Sequence, residues 1–380
     1  MRKNVSLLIK PASSLCNLRC KYCFYADVAA NRELGSYGVM SPETQEQLIR
    51  AALEEAGVGG TVGFAFQGGE PTLAGLAYFQ TFVALVRRIS EGKNSVFYSI
   101  QTNGIVVDDE WAAFFKENHF LVGLSVDGGI DSHDQNRVDA DGKGTWKRVT
   151  KTLRCLQAHE VDINLLCVVS RALSRRPLSV YRALKKLGAQ YLQFIPCLDP
   201  LETERGSQPF SLLPEDYGKF LCTLFDAWFD DWKAGRYVSI RLFDDYVHLM
   251  MGLPAGTCAT NGNCGPCLIS EGDGGLYPCD FFVLDEWRLG AVDDGRTLGE
   301  IASCERERAF LAQSAQKPKE CAACRWRRLC NGGCKRDWYE AEGETHNYFC
   351  PAFRMFFEHA EGGLMQIAAA ERAALRGRAF

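Results

Sequence analysis

Cys16-Asn17-Leu18-Arg19-Cys20-Lys21-Tyr22-Cys23-Phe24-Tyr25 sets three cysteines in the spacing CxxxCxxC, just after an apolar run that ends at Lys10. Three thiolates in one loop can hold three irons of a [4Fe-4S] cube and leave the fourth iron open to an exogenous ligand. Structural zinc takes four ligands, usually in paired CxxC units, and no fourth Cys or His lies near in sequence. The spacing therefore favours a cluster with an open site over zinc.

Outward from this loop, short β-rich runs alternate with helical patterns. Strands are expected at 5–10, 61–67, 95–101, 120–126, 162–169 and 191–197, with helices at 42–57, 74–91, 108–118, 144–159 and 174–187. Such alternation implies right-handed βαβ units and a parallel sheet, six units making a partial barrel. Polar residues gather after successive strands: the cysteine loop, Gln67-Gly68-Gly69-Glu70, Gln101-Thr102-Asn103-Gly104 and Ser125-Val126-Asp127-Gly128. Loops at the C-terminal ends of parallel barrel strands converge on one mouth, so the chemistry is expected there. After residue 200 a helix is expected from Leu213 to about Trp232, then a strand at Val238–Arg241, a Cys-rich ligand loop over 252–270, and a helical tail over 364–380.

The 380 residues carry 43 Lys plus Arg against 47 Asp plus Glu, a net charge of -4, so no basic field exists for nucleic acid or an anionic membrane. No run suits a signal peptide or a bilayer span, which places the chain in the cytoplasm. In that reducing compartment 17 cysteines read as metal or catalytic ligands rather than disulfides. Ten lie beyond residue 250, at 258, 264, 267, 279, 304, 321, 324, 330, 334 and 350. Two four-thiolate clusters need eight of them. Cys321, Cys324, Cys330 and Cys334 alone could form a zinc knuckle, but Cys258, Cys264, Cys279 and Cys350 would then have no role.

The triad after a first strand resembles the signature of the radical S-adenosylmethionine superfamily, and Gly68-Gly69-Glu70-Pro71 resembles its GGEP motif. That resemblance implies a partial (β/α)6 barrel in which the open iron binds S-adenosylmethionine and the reduced cluster cleaves it to a 5′-deoxyadenosyl radical. Cys16, Cys20 and Cys23 would be the ligands. Gly68 and Gly69 would admit the cofactor, Glu70 would pair with its ammonium, and Ser125 and Asp127 match cofactor-contacting positions. The C-terminal cysteines resemble the SPASM extension with two auxiliary clusters, implying a total of three [4Fe-4S] clusters. Its interleaved pattern implies Cys258, Cys264, Cys279 and Cys334 for the first and Cys321, Cys324, Cys330 and Cys350 for the second, with Cys267 a competitor of Cys264. The expected division is a barrel over 1–240, a SPASM domain over 241–360 and a tail over 361–380.

More narrowly, LIKPAS, CNLRCKYCFY, FAFQGGEPTLAGL, SIQTNG, FLVGLSVDG, LQFIPCLDPL, VSIR and YPCDFFVLDEWRLG resemble blocks of the anaerobic sulfatase-maturating enzymes. The resemblance implies oxidation of a Cys or Ser in a sulfatase polypeptide, at a CxPxR-type motif, to Cα-formylglycine, with an electron donor such as flavodoxin or ferredoxin. This oxidation needs acceptors for one hydrogen atom, one proton and one electron. The adenosyl radical, a carboxylate and an auxiliary cluster would supply them in turn. Asp280, beside Cys279, matches the family's proposed base. Tyr25, Gln67, Gln101, Asn103, Gln193 and Arg241 are candidates for holding cofactor or peptide. Competing readings are a SPASM maturase that crosslinks ribosomal peptides and, in another class, a non-enzymatic iron–sulfur electron carrier or zinc module.

Overall fold

Each of the six expected apolar runs forms a strand in the computed structural model, which describes residues 4–377. These are β1 (Asn4–Ile9), β2 (Thr61–Phe66), β3 (Ser95–Thr102), β4 (Phe120–Ser125), β5 (Asp162–Val169) and β6 (Tyr191–Pro196), followed by β7 (Ser239–Ile240), β8 (Leu268–Ser270), β9 (Gly275–Tyr277) and β10 (Gly290–Ala291). Alternation explains them: in β2, Val62, Phe64 and Phe66 are buried while Thr61, Gly63 and Ala65 are less so. The same period fixes register, setting Leu7 opposite Phe64 and Ile9 opposite Phe66 in parallel pairing. Helices follow the apolar stripes of the intervening segments. Helix Pro42–Ala56 starts where the Ser41 side chain accepts from the Thr44 N–H, and ends at Gly57, whose φ of 72° is costly for other residues.

The chain divides into two compact units. The first takes the residues up to Val126, His133–Asn164 and Pro266–Phe310. Its strands run in the order β10-β9-β8-β1-β2-β3-β4. Pairing from β1 to β4 is parallel, and β8 adds to β1 in parallel on the other edge. Its core is rich in phenylalanine: the Phe66 ring meets those of Phe79 and Phe82 edge-on, each at 5.0 Å between centroids. Each such buried ring contributes roughly 2–3 kcal/mol of transfer free energy.

The second unit takes Asp127–Ser132, Leu165–Gly265 and the chain from Leu311 on. Here β6 pairs in parallel with β5 and with β7. Helix Pro214–Lys233 lies against a 28-residue helix, Cys350–Gly377. Gly218 permits that approach, since a Cβ there would sit 2.8 Å from Met355 Sδ.

These units cut the chain differently from the expected boundary at 240, because β8 returns residues 266–310 to the sheet of β1. The helix expected from 364 begins at Cys350, and residues 378–380 of the expected tail lie outside the described residues. Among the described residues no helix is long and apolar enough to cross a membrane.

Candidate active site

The triad loop leaves the end of β1 and is pinned by backbone bonds, Arg19 N–H to Val138 O at 2.7 Å and Lys21 N–H to Asn136 O at 3.0 Å. Cys23 then precedes the helix Phe24–Ala30. Burial pushes the Cys16 thiol up to about 12, the Leu18 N–H lowers it, and Glu70 together with Cys20 and Cys23 raises it again. Three thiols crowded with a carboxylate fit the cationic core of an iron–sulfur cluster, which would offset both the burial and the mutual repulsion.

The Gly68–Glu70 loop follows β2 and presses against this segment. Gly69 N–H donates to Ser13 O at 2.8 Å, and Glu70 N–H to Leu15 O at 2.7 Å. A Cβ on Gly69 would sit 2.2 Å from Leu15 O. The visible need for glycine is thus close approach of two protein backbones. Glu70 is buried and anchors the loop: Oε1 accepts from the Thr72 N–H and from the hydroxyls of Thr72 and Thr102, and Oε2 accepts from the Asn103 N–H at 2.8 Å. Three of these bonds fall on Oε1 and one on Oε2, which keeps an acceptor position. Glu70 thereby braces the loop, and its Oε2 can still accept from a further donor. Asn103 reaches back to the triad loop, donating to Asn17 Oδ1 at 2.8 Å.

Asp280 follows Cys279 and opens a single 3₁₀ turn, Asp280–Phe282. Its Oδ1 pairs with the Lys10 ammonium, and its Oδ2 accepts from Gln67 Nε2 at 2.9 Å. Lys10 is fully buried and its Nζ lies 3.7 Å from the centroid of the Tyr25 ring, a cation–π contact that helps aim it. Tyr25 is buried and donates its hydroxyl to Glu271 Oε1, which also pairs with Arg32 Nη1 at 2.6 Å. Burial and then the Glu271 charge push the Tyr25 hydroxyl far up, so it stays a donor. One connected set, Arg32–Glu271–Tyr25–Lys10–Asp280–Gln67, thus fixes the carboxylate at the end of β1, in the same unit as the triad. Tyr25 joins the two halves of this set through its hydroxyl and its ring.

Ser125 ends β4 and its Oγ accepts from Gln101 Nε2 at 3.0 Å. Gly123 makes room for Gln101, whose Oε1 would lie 2.1 Å from a Cβ there. Asp127 belongs to the second unit and is buried, its Oδ1 accepting from the Val168 N–H at 3.0 Å. Gln193 lies on β6, and Arg241 Nη2 donates to Gly256 O at 3.2 Å.

In the second unit Cys321, Cys324, Cys330 and Cys350 line one small cavity, with Trp326, Phe353 and Phe357. Burial, opposed by the Gly332 N–H and joined by Cys321, Cys350 and Cys324, pushes the Cys330 thiol up to about 12. Four thiols around one cavity could hold a cube. The turn from Cys330 to Cys334 needs three successive left-handed residues, Asn331, Gly332 and Gly333, with φ of 43°, 89° and 64°. Cys258, Cys264 and Cys334 belong to this unit, and Cys279 to the first, as does Cys267. Burial raises the Cys264 thiol, and the neighbouring Cys258 adds to the rise.

Lys10, Arg32 and Glu271 were not singled out from the sequence. The available signals were a charged residue closing an apolar strand in LIKPAS and a carboxylate directly after β8.

Residues 11–173 match the family model of the Radical SAM superfamily. The chain is 44% identical over 358 residues to a cysteine-type anaerobic sulfatase-maturating enzyme of Clostridium novyi, covering 94% of this chain and 95% of the relative. A serine-type anaerobic sulfatase-maturating enzyme of Bacteroides thetaiotaomicron is 31% identical, with 94% and 89% covered. A solved structure, native anSMEcpe with bound AdoMet and Cp18Cys peptide, superposes with a TM-score of 0.91 at 42% identity, covering 97% of this chain and 99% of that one. Streptococcus suis SuiB bound to precursor peptide SuiA, at 17% identity and a TM-score of 0.57, covering 87% of this chain and 72% of that one, shares the fold.

Proposed function

The chain belongs to the anaerobic sulfatase-maturating enzymes of the radical SAM superfamily, and from that premise we propose that it oxidises a cysteine of a sulfatase polypeptide to Cα-formylglycine. It is an enzyme that uses S-adenosylmethionine and a [4Fe-4S] cluster. Identity of 44% to a cysteine-type relative against 31% to a serine-type one supports cysteine as the target residue. The peptide-crosslinking alternative rests on a likeness that extends only to the fold.

The observation that carries the catalytic assignment is the Asp280 carboxylate held between Lys10 and Gln67 in the unit of the triad. Oxidation of the Cys CH₂–SH group removes one hydrogen atom from Cβ, the thiol proton and one electron. Water then attacks the resulting thioaldehyde, giving the aldehyde and hydrogen sulfide. When bound, S-adenosylmethionine with its cluster supplies the hydrogen-atom acceptor, and further clusters supply an acceptor for the electron. Asp280 takes the thiol proton. Lys10 keeps its Oδ1 oriented, and Gln67 can release Oδ2 to the incoming group.

Cys16, Cys20 and Cys23 hold the cluster with the open iron. Gly68, Gly69 and Glu70, with Tyr25, Ser125 and Asp127, would hold S-adenosylmethionine. Cys321, Cys324, Cys330 and Cys350 hold one auxiliary cluster and Cys258, Cys264, Cys279 and Cys334 another, three in all. The partner is a sulfatase segment with a CxPxR-type motif, and a flavodoxin- or ferredoxin-class donor supplies electrons in the cytoplasm.

Asp280→Asn tests the base. Asn keeps size and a hydrogen-bond acceptor but takes no proton at neutral pH, so 5′-deoxyadenosine should still form while formylglycine falls by about 100-fold or more. Aldehyde formation near the parent rate would move the proton to another group.

A further inference from the structure

In the first unit three metal-binding side chains of different kinds, none of them used above, converge. Cys155 lies in the last turn of the helix Trp146–Ala158, and His159 is its C-terminal cap, four residues on. That spacing puts both side chains on one helix face. Asp109 is the first residue of the helix Asp109–Glu117, whose N-cap is Asp108. His159 Nε2 lies 3.0 Å from Asp109 Oδ1, and Cys155 Sγ lies 3.6 Å from the same oxygen. All three donor atoms fall within 4.8 Å of one another.

The two separations from Asp109 are close to the edges of a coordination tetrahedron. Bonds of about 2.0 Å from zinc to carboxylate oxygen or imidazole nitrogen, and about 2.3 Å to thiolate sulfur, place neighbouring donors about 3.3–3.5 Å apart. A carboxylate, an imidazole and a thiolate together form a donor set suited to a borderline divalent ion and poorly suited to magnesium or calcium, which take oxygen ligands. The site opens to solvent, with the Asp109 side chain 89% exposed and that of His159 31% exposed, so an ion can enter without unfolding. Asp108 adds negative charge near the thiol, opposed by Lys151.

We propose that Asp109, Cys155 and His159 bind one divalent transition-metal cation of the zinc class, with water in the fourth position, tying the start of helix Asp109–Glu117 to the end of helix Trp146–Ala158. In the metal-free state the Cys155 thiol donates to Asp109. On binding, that proton leaves to solvent and the thiolate and carboxylate both turn to the ion. The site requires no part of the radical chemistry.

The test uses cluster-loaded protein, so that the other ligand cysteines are occupied, and reads alkylation of Cys155 by mass spectrometry of its peptide. Micromolar free zinc should slow that alkylation by about tenfold or more, and one equivalent of zinc should remain on the protein after desalting. Both effects should disappear in His159→Gln, an exposed change that spares the fold, and the retained zinc should also disappear in Cys155→Ser. Alkylation unaffected by zinc in the parent, or equal protection in the parent and in His159→Gln, overturns the site.

Discussion

Lys10 is the residue on which the geometry around Asp280 turns. It is fully buried, and its ammonium faces a carboxylate on one side and an aromatic ring on another. A charge so placed is tolerated only with partners, so removing it leaves Asp280 uncompensated. Lys10→Met keeps the stem and removes the charge. Its expected cost is about 3 kcal/mol of stability in chemical denaturation, with formylglycine formation reduced at least tenfold and 5′-deoxyadenosine still produced. Unchanged aldehyde formation in this variant would show that Asp280 needs no fixed partner. The sequence announced Asp280 through its place beside Cys279, but not Lys10, Tyr25 and Glu271 as one set. Lys10 and Asp280 are 270 residues apart and Tyr25 and Glu271 are 246 apart, and nothing local in either segment encodes that meeting.

At the level of elements, the strands were readable because alternation and punctuation are local signals. β2 and β4 fell within a residue of their expected ends. The return of β8 to β1 was not readable, since a three-residue strand has too few positions to show a period. Motif spacing announces that glycines are needed, while the structure shows that the neighbour crowding Gly69 is the Leu15 carbonyl. Because the triad loop and the C-terminal cysteine cavity lie in separate compact units, the two should lose metal independently. Replacing Cys16, Cys20 and Cys23 together by Ala should abolish 5′-deoxyadenosine formation and remove about four irons, leaving about eight. Continued cleavage of S-adenosylmethionine by that variant would place the radical-generating cluster elsewhere.

For the molecule as a whole, three ligand sets predict roughly 12 irons after anaerobic reconstitution. Zinc should not exceed the single equivalent assigned to Asp109, Cys155 and His159, and it should be lost in Cys155→Ser. Four irons with several zincs would instead mean that the C-terminal thiols hold zinc. The measurement closest to the central claim is anaerobic incubation of the reduced, cluster-loaded protein and S-adenosylmethionine with a synthetic peptide bearing the CxPxR motif, read by mass spectrometry against its Ser counterpart. The Cys peptide should lose its thiol and gain an aldehyde that reacts with a hydrazine, faster than the Ser peptide. Cleavage of S-adenosylmethionine with both peptides recovered unchanged, or recovered with a new crosslink and no aldehyde, would contradict the account.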